Sequence, residues 1–566
     1  MLLEPTGRLV RASMAVRGTR PTVEELRQVR ADPGVLPVLV EGWLSSEAFG
    51  ATVRDMWAEV LLLRNDTFNQ LPALGALEGY LLDDIYQGTA EEPLRFIEHL
   101  VLADRPFTEL VTAEDMFTDE ITARIYGVDY DAAVGGWQAS TWPDARPRAG
   151  ILSSAQLWRR WESDGSNFNR GRANLVASRL LCEDFEGRDI LIEGGIDVAD
   201  ELQVAYAVQV NPGCVSCHQS LDALAGYFWG YKQLIHRNYV ADSITGGCAF
   251  NWAGGNEPEF GPSYLPEDYC YPIKQYNPAD EGGWVDRGLR APGYYGQPAH
   301  DLSEVGRLIA DDPRFSQCMV RQFFGYLAQI EPGDVPFEVA SELQRRFEAS
   351  GFSAASLVHD VVMHPRFQAI AADDPADTSV GLRTIRPEQY ARVVEDLTGY
   401  RWWALPDPPG CDSPTNPDVQ RFGTQCWGTV DLSNSDVFGF RAMSGGVDGK
   451  VILRPTHSPT PTKALTMAIL AADAAGWVVQ TDLARDASAR RLLRWVEADT
   501  VAEAQVRGQL AWLHARILGE LLEPDDPGLD ASLELFELGL ELRGSASGAW
   551  ILVITALLQD PAVMFW

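Results

Sequence analysis

The chain has 566 residues, more than one hydrophobic core accommodates, since single cores stop growing at roughly 250–300 residues; two or more subdomains are expected. Hydrophobic residues make up 46% of it, which excludes a disordered chain, and 80 acidic against 46 basic residues give a formal charge of -34, which repels nucleic acid and anionic lipid. Such a surface suits solubility, a cationic partner or loosely held divalent cations.

In chain order, the start, "MLLEPTGRLVRAS", lacks the basic region and apolar core of a secretion signal, so the chain reads as cytosolic or as a mature or trimmed form. No apolar run of about 18 residues or more is present, so no transmembrane span is expected. The dominant period is helical. "TVEELRQV" has Thr22 three residues before Glu25, a capping-box pattern, with Pro21 in front. "LSSEAF", residues 44 to 49, precedes another amphipathic stretch. "RDILIEGG" and "ELQVAYAVQV" are the best short strand candidates. "HDLSEVGRLIADD" offers Asp301 as N-cap with Glu304 three residues on, and places Leu302, Val305, Leu308 and Ile309 on one face. "RPEQYARVVEDLTGY" puts Pro387 in a first turn, Tyr390, Val393, Val394 and Leu397 on a stripe, and Gly399 at the stop. Residues 248–300 and 401–428 read as long coils rich in Gly, Pro and aromatic residues, packed rather than disordered. An internal echo relates "IEPGD" and the stretch ending in "MHPRF" to "LEPDD" and the stretch ending in "QDPAVMF", as two related helical subdomains would.

The chemistry concentrates in "NPGCVSCHQSLDALAGYFWGY", residues 211 to 231. Cys214, Cys217 and His218 stand in the order C-x-x-C-H. Two thiols separated by two residues reach one edge of a porphyrin and add to its vinyl groups, and the next residue presents an imidazole to the iron. Cys214 and Cys217 are therefore read as thioether anchors of one covalent haem c, and His218 as the axial iron ligand. The following segment continues as a helix, with Leu221, Leu224 and Phe228 against the haem plane. A thioredoxin-like C-x-x-C would want a βαβ setting, and a zinc site a second pair of ligands; neither is present in the sequence. A plain cysteine pair is the remaining alternative. Sixth-ligand candidates after the motif include His236, His300, His359, His364 and His457, with Met319, Met363 and Met443. His300, at a loop end, and Met443, in a Gly-rich loop, are the ones retained; a five-coordinate iron is the alternative. Nucleophile-elbow, Walker and HEXXH patterns are absent. The acidic stretches from Asp280 and Asp431 fit no EF-hand loop and read as solvated coil.

Six cysteines remain and permit fifteen full pairings. Cys248 with Cys270 and Cys411 with Cys426 would close short coil segments, and Cys182 with Cys318 follows by elimination; six buried thiols are the alternative. Disulfides would place the chain in an oxidising compartment.

"RLVRASMAVRGTRPTVEELRQV", "CVSCHQSLDALAGYFWGY", "DLSEVGRLIADDPRFSQCMVRQFFGYL" and "RPEQYARVVEDLTG", in this order, resemble planctomycete-type cytochrome c domain proteins, large and mostly helical proteins of planctomycetes and myxobacteria. The resemblance implies an exported haem protein of the periplasm or cell surface, and its Cys-Cys-His triplet carries over to Cys214, Cys217 and His218 alone. It supplies no reaction. The chain departs from it after the motif, where relatives carry Asp-Pro-x-Gly and this sequence reads "LDALAG", with Asp222 but no proline.

The expectation is thus a mainly α, multi-subdomain protein with a c-type haem-binding segment and long disulfide-linked loops. It divides into an N-terminal helical domain (1–135), a haem c-binding region (136–300), a helical subdomain (301–385) and a C-terminal helical subdomain (386–566). Its expected function is one-electron transfer in the cell envelope with a redox partner protein. A haem-dependent oxidoreductase with an open iron site and a surface assembly protein with a stabilising haem are the alternatives. The size leaves room for a glycan, envelope or oligomer contact.

Overall fold

The computed structural model describes residues 1–65, 75–77, 79–163, 167–187, 196–197, 199–231, 239–241, 248–250, 276–372, 377, 379–404, 430–432, 435–436 and 439–566. Among them helices dominate, and strands occur only as three antiparallel pairs: Asp115–Thr118 with Gln138–Thr141, Tyr239–Ala241 with Cys248–Phe250, and Trp403–Ala404 with Val430–Asp431. The mainly α expectation holds.

Local signals act as their chemistry requires. Thr22 caps the helix Val23–Ala31 in a complete capping box with Glu25. Asp301 caps Leu302–Asp311 through the amides of Ser303 and Glu304, while the Glu304 carboxylate turns to the amide of His300 instead. The helix Pro387–Thr398 buries Tyr390, Val393, Val394 and Leu397 and stops at Gly399, whose φ of 76° is left-handed. Ser46 caps Glu47–Leu61. The echoed segments are both helical hairpins behind a 3-10 turn: Pro332–Asp334 before Phe337–Ala349 and Ala354–Met363, and Pro527–Leu529 before Asp530–Arg543 and Ala546–Leu558.

Two expectations change. "ELQVAYAVQV" is the helix Glu201–Val210, not a strand. A short apolar run does not by period separate strand from buried helix, and here the helix packs on the one that follows it. The helix Pro461–Leu483 contains an 18-residue window of mean hydropathy 1.3, long and apolar enough to cross a membrane by length and composition. Its Met467, Leu470, Ala471, Ala474, Ala475, Val478 and Val479 are buried against neighbouring helices, while Leu465, Ile469 and Trp477 on the same helix are exposed. The strand candidate "RDILIEGG" lies outside the described residues.

One hydrophobic cluster runs from Leu9 to Trp566 and takes residues from all four expected segments; a smaller one gathers Ile85, Met116, Ile125 and Trp142. At its heart Trp57, Phe107 and Phe323 meet with ring centroids 5.8, 6.4 and 5.6 Å apart. Both chain ends close onto the segment after Met363. Leu2 bridges Ala369, and Thr384 bridges Phe565. The buried Arg11 guanidinium donates to the carbonyls of Phe367 (2.9 Å), Ala369 (2.8 Å), Gly381 (2.9 Å) and Trp566 (3.2 Å). Burial, followed by the nearby charge of Arg383, pushes this guanidinium down to about 9. A second buried set ties the halves together: Arg64 sits between Asp55 and Glu91 at 2.7 Å each, and Arg386 meets Glu59 at 3.0 Å. Breaking one partner of such a set strands a buried charge and costs about 3–5 kcal/mol.

Cys182 and Cys318 form a disulfide, with Cα atoms 5.3 Å apart, joining the end of the helix Arg170–Leu180 to the helix Pro313–Ala328. The expected pairs Cys248–Cys270 and Cys411–Cys426 fall on side chains outside the described residues.

Candidate functional site

The C-x-x-C-H segment opens a helix. Asn211 has extended backbone and accepts the amides of Gly213 (3.0 Å) and Cys214 (3.4 Å), and Pro212 presets the first turn of Pro212–Ala225. At 100° per residue, positions 214, 217, 218 and 221 share one helix face. Cys214 is half-buried, Cys217 buried, and His218 is 22% exposed, so the face lies at the boundary between core and solvent. The two sulfurs are not bridged to one another.

His218 is oriented from behind. Its Nδ1 lies 2.9 Å from Oδ1 of Asp222, one helical turn on, and Asp222 is itself held by Arg170 at 2.7 Å (Nε to Oδ1) and 3.1 Å (Nη2 to Oδ2). Burial raises the Asp222 carboxyl, but the hydrogen bonds from His218 and Arg170 and the charge of Arg170 outweigh it, and the net direction is below the usual carboxylate range. An ionised Asp222 can only accept, so Nδ1 carries a proton and donates, and the neutral form of the ring has its lone pair on Nε2. That tautomer, with a carboxylate behind the ring, is the arrangement of metal-ligating histidines. The donor set therefore suits an iron porphyrin: two thiols for thioether bonds and an imidazole whose coordinating nitrogen is defined.

Further along the helix Leu224 is buried, and the buried Phe228 ring lies 4.6 Å from that of Trp158. The described end of the long coil folds back across the helix. The amide of Gly293 donates to Ala223 (3.1 Å) and Tyr227 Oη donates to Ala299 (3.0 Å). A Cβ on Gly230 would strike the ring of Tyr276, so glycine permits this approach.

The two sixth-ligand candidates lie apart. His300 follows Ala299, which is anchored at Tyr227, roughly 14 Å along the helix axis from His218. Its ring is 90% exposed and leans toward Asp301. Met443 ends the short helix Phe440–Met443, which packs on Pro461–Leu483. Neither is brought to His218. Of the others, Met319 is fully buried core, and His364 accepts the amide of Arg366. His457 is pushed down to about 4 by burial and by the nearby charges of Arg386, Lys463 and Arg383. His236 is outside the described residues.

Among the described residues, no three His, Cys, Asp or Glu side chains gather as a metal-ion site, and the motif is flanked by helices rather than a βαβ unit, so neither a zinc cluster nor a thioredoxin-like setting appears there. Sequence reasoning missed the role of Asp222 and Arg170. The His-x-x-x-Asp spacing was the available signal for the first; nothing local marks Arg170, fifty-two positions away. No protein-family model matches the chain, and no curated protein or solved structure matches it.

Proposed function

We propose that Cys214 and Cys217 carry one covalently attached haem c, that His218 is its axial ligand, and that the protein is an exported one-electron carrier of the cell envelope. The observation carrying this reading is the His218–Asp222–Arg170 relay behind a C-x-x-C-H face. When bound, haem supplies a reversible one-electron iron couple. The chain's own residues do the rest. Asn211 and Pro212 fix the helix start, which sets the two thiols on one side. Asp222 holds the His218 proton on Nδ1 and leaves Nε2 to coordinate. Arg170 keeps Asp222 ionised, which favours the more positive state of a metal bound to that imidazole. The Cys182–Cys318 disulfide supports an oxidising compartment.

The test is a reduced pyridine-haemochrome spectrum, with intact mass, on protein produced alongside a haem-attachment system. One thioether-linked haem per chain is expected, lost on replacing Cys214 and Cys217 by alanine. Colourless protein whose Cys214 and Cys217 both alkylate, or bridge each other, refutes the reading.

A further inference from the structure

Away from the motif, a cavity of about 340 Å³ opens between the helices Arg170–Leu180 and Pro313–Ala328, with the 3-10 turn at Pro332 and the coil at Leu453 closing its sides and Cys182 of the disulfide in its wall. Three guanidinium groups from three separate elements line it: Arg179, Arg321 and Arg454.

Arg179 is the informative member. Its Nε is buried without a hydrogen-bond partner, and among the described residues its guanidinium makes neither a hydrogen bond nor an ion pair. Its carbonyl accepts from Gln322 Nε2 at 3.4 Å. Arg321 makes one long contact, 3.4 Å to the carbonyl of Pro332, and Arg454 has no acceptor among the described residues. The cavity also has two carboxylates in its lining, Asp184 and Glu186. Asp184 Oδ1 is already taken by Asn174 Nδ2 (3.2 Å) and the amide of Glu186 (3.0 Å), and Glu186 is exposed. Three carboxylates, Asp184, Glu186 and Glu331, lie close enough for their charges to act on Arg179, yet none forms an ion pair with it among the described residues. Burial depresses Arg179; the charges of Asp184, Glu331 and Glu186 oppose this and that of Arg454 adds to it, with the net direction downward. A half-buried guanidinium with its Nε shut off from solvent and unpaired, beside a second guanidinium, is unfavourable. An acidic chain had many carboxylates with which to neutralise it.

We infer that this cavity binds a small organic anion through a phosphate or carboxylate group, with Arg179 as its inner contact and Arg321 and Arg454 closing on it. Guanidinium forks bind both groups bidentately, and the volume exceeds what inorganic phosphate fills, leaving room for an organic body. Asn174, Ser178 and Gln322 supply neutral polar atoms at the wall. The inference is independent of haem attachment.

The test is calorimetric titration of the full chain, at low salt, with inorganic phosphate and separately with succinate. Binding of at least one, at one site and with Kd below about 1 mM, is expected. Heat with phosphate alone assigns the phosphoryl class, and heat with succinate alone the carboxylate class. Arg179→Gln should weaken the effective probe by about tenfold or more, and the exposed Arg454→Gln by a few fold. The second variant keeps the test usable if the first fails to fold. No heat with either probe, or wild-type affinity in Arg454→Gln and in a folded Arg179→Gln, overturns the inference.

Discussion

Removing the Cys182–Cys318 bond is the sharpest perturbation of the fold itself. The bond closes a loop with a sequence separation of 136, and the chain-entropy relation for a loop of that size gives about 17 cal/mol/K, or about 5 kcal/mol at 25 °C. The dependence on length is logarithmic, so a further cross-link that halved the effective loop would lower this by only about 0.6 kcal/mol. Cys318 is 1% exposed, so the double variant Cys182→Ala/Cys318→Ala is preferred to serine, which would bury an unpaired hydroxyl. The assay is urea unfolding followed by tryptophan fluorescence, comparing the variant with oxidised wild type. With a slope of roughly 3 kcal/mol/M, the first transition should move down by about 1–2 M. Midpoints agreeing within about 0.2 M would show that the closed loop adds no constraint to the unfolded chain, and the reasoning would fail.

Three further outcomes follow from named contacts. Asp222→Asn keeps an acceptor for His218 Nδ1 but removes the charge, exchanging a charge-assisted hydrogen bond for a neutral one. The difference of about 1 kcal/mol should raise the potential of the haem-loaded protein by roughly 40 mV in a spectroelectrochemical titration, and an unchanged or lower potential contradicts it. Burial raises the Glu92 carboxyl from 4.5 to about 7 despite a 2.6 Å hydrogen bond from Ser154. Between those values the unfolded chain has released a proton that the folded chain retains, so stability is full below the window, falls as pH rises through it by about 3 kcal/mol, and levels off above. Glu92→Gln should abolish that fall, and an identical pH slope in denaturation midpoints rules the assignment out. A Cβ on Gly306 would run into the carbonyl oxygen of Val111, which is backbone and unable to swing aside, so Gly306→Ala should destabilise by about 1–3 kcal/mol; a melting temperature equal to wild type refutes this.

Much of this fold was legible where the signal is local. Thr22, Asp301, Pro387 and Gly399 sit at helix ends because caps, proline and left-handed glycine act within one turn. The C-x-x-C-H face was legible for the same reason, since helical spacing alone puts Cys214, Cys217 and His218 together. "ELQVAYAVQV" was misread because its side chains carry little preference for one face, and the packing that decides between strand and helix comes from elsewhere in the chain. Arg170 and Arg179 were invisible for a different reason. Each acts through residues brought up by tertiary packing, Asp222 for one and a cavity wall for the other, and no spacing rule connects them.

These two arginines lie at opposite ends of one helix, eleven residues and roughly 16 Å long. Its N-cap residue Asn169 takes a left-handed φ of 63° and makes no cap bond, and Asn167 Oδ1 accepts the amide of Gly171 at 3.0 Å in its place. A carboxylate is favoured near such an end by the helix dipole, and Asp222 is the carboxylate bound at its first residue. The same anion therefore ties two helices together: it pairs with the Arg170 side chain at the start of Arg170–Leu180 and faces His218 Nδ1 in Pro212–Ala225. At the other end Cys182 is covalently tied to the helix Pro313–Ala328, whose Gln322 also takes the Arg179 carbonyl. The helix is clamped ionically at the motif and covalently at the cavity. A helix fixed at both ends holds Asp222 in place, which is what the proposed role of His218 would require if the ring is to keep one tautomer through a redox cycle. The large helical body around the motif is consistent with that demand: it supplies the buried second helix and its anchor, which a short peptide around Cys214 cannot.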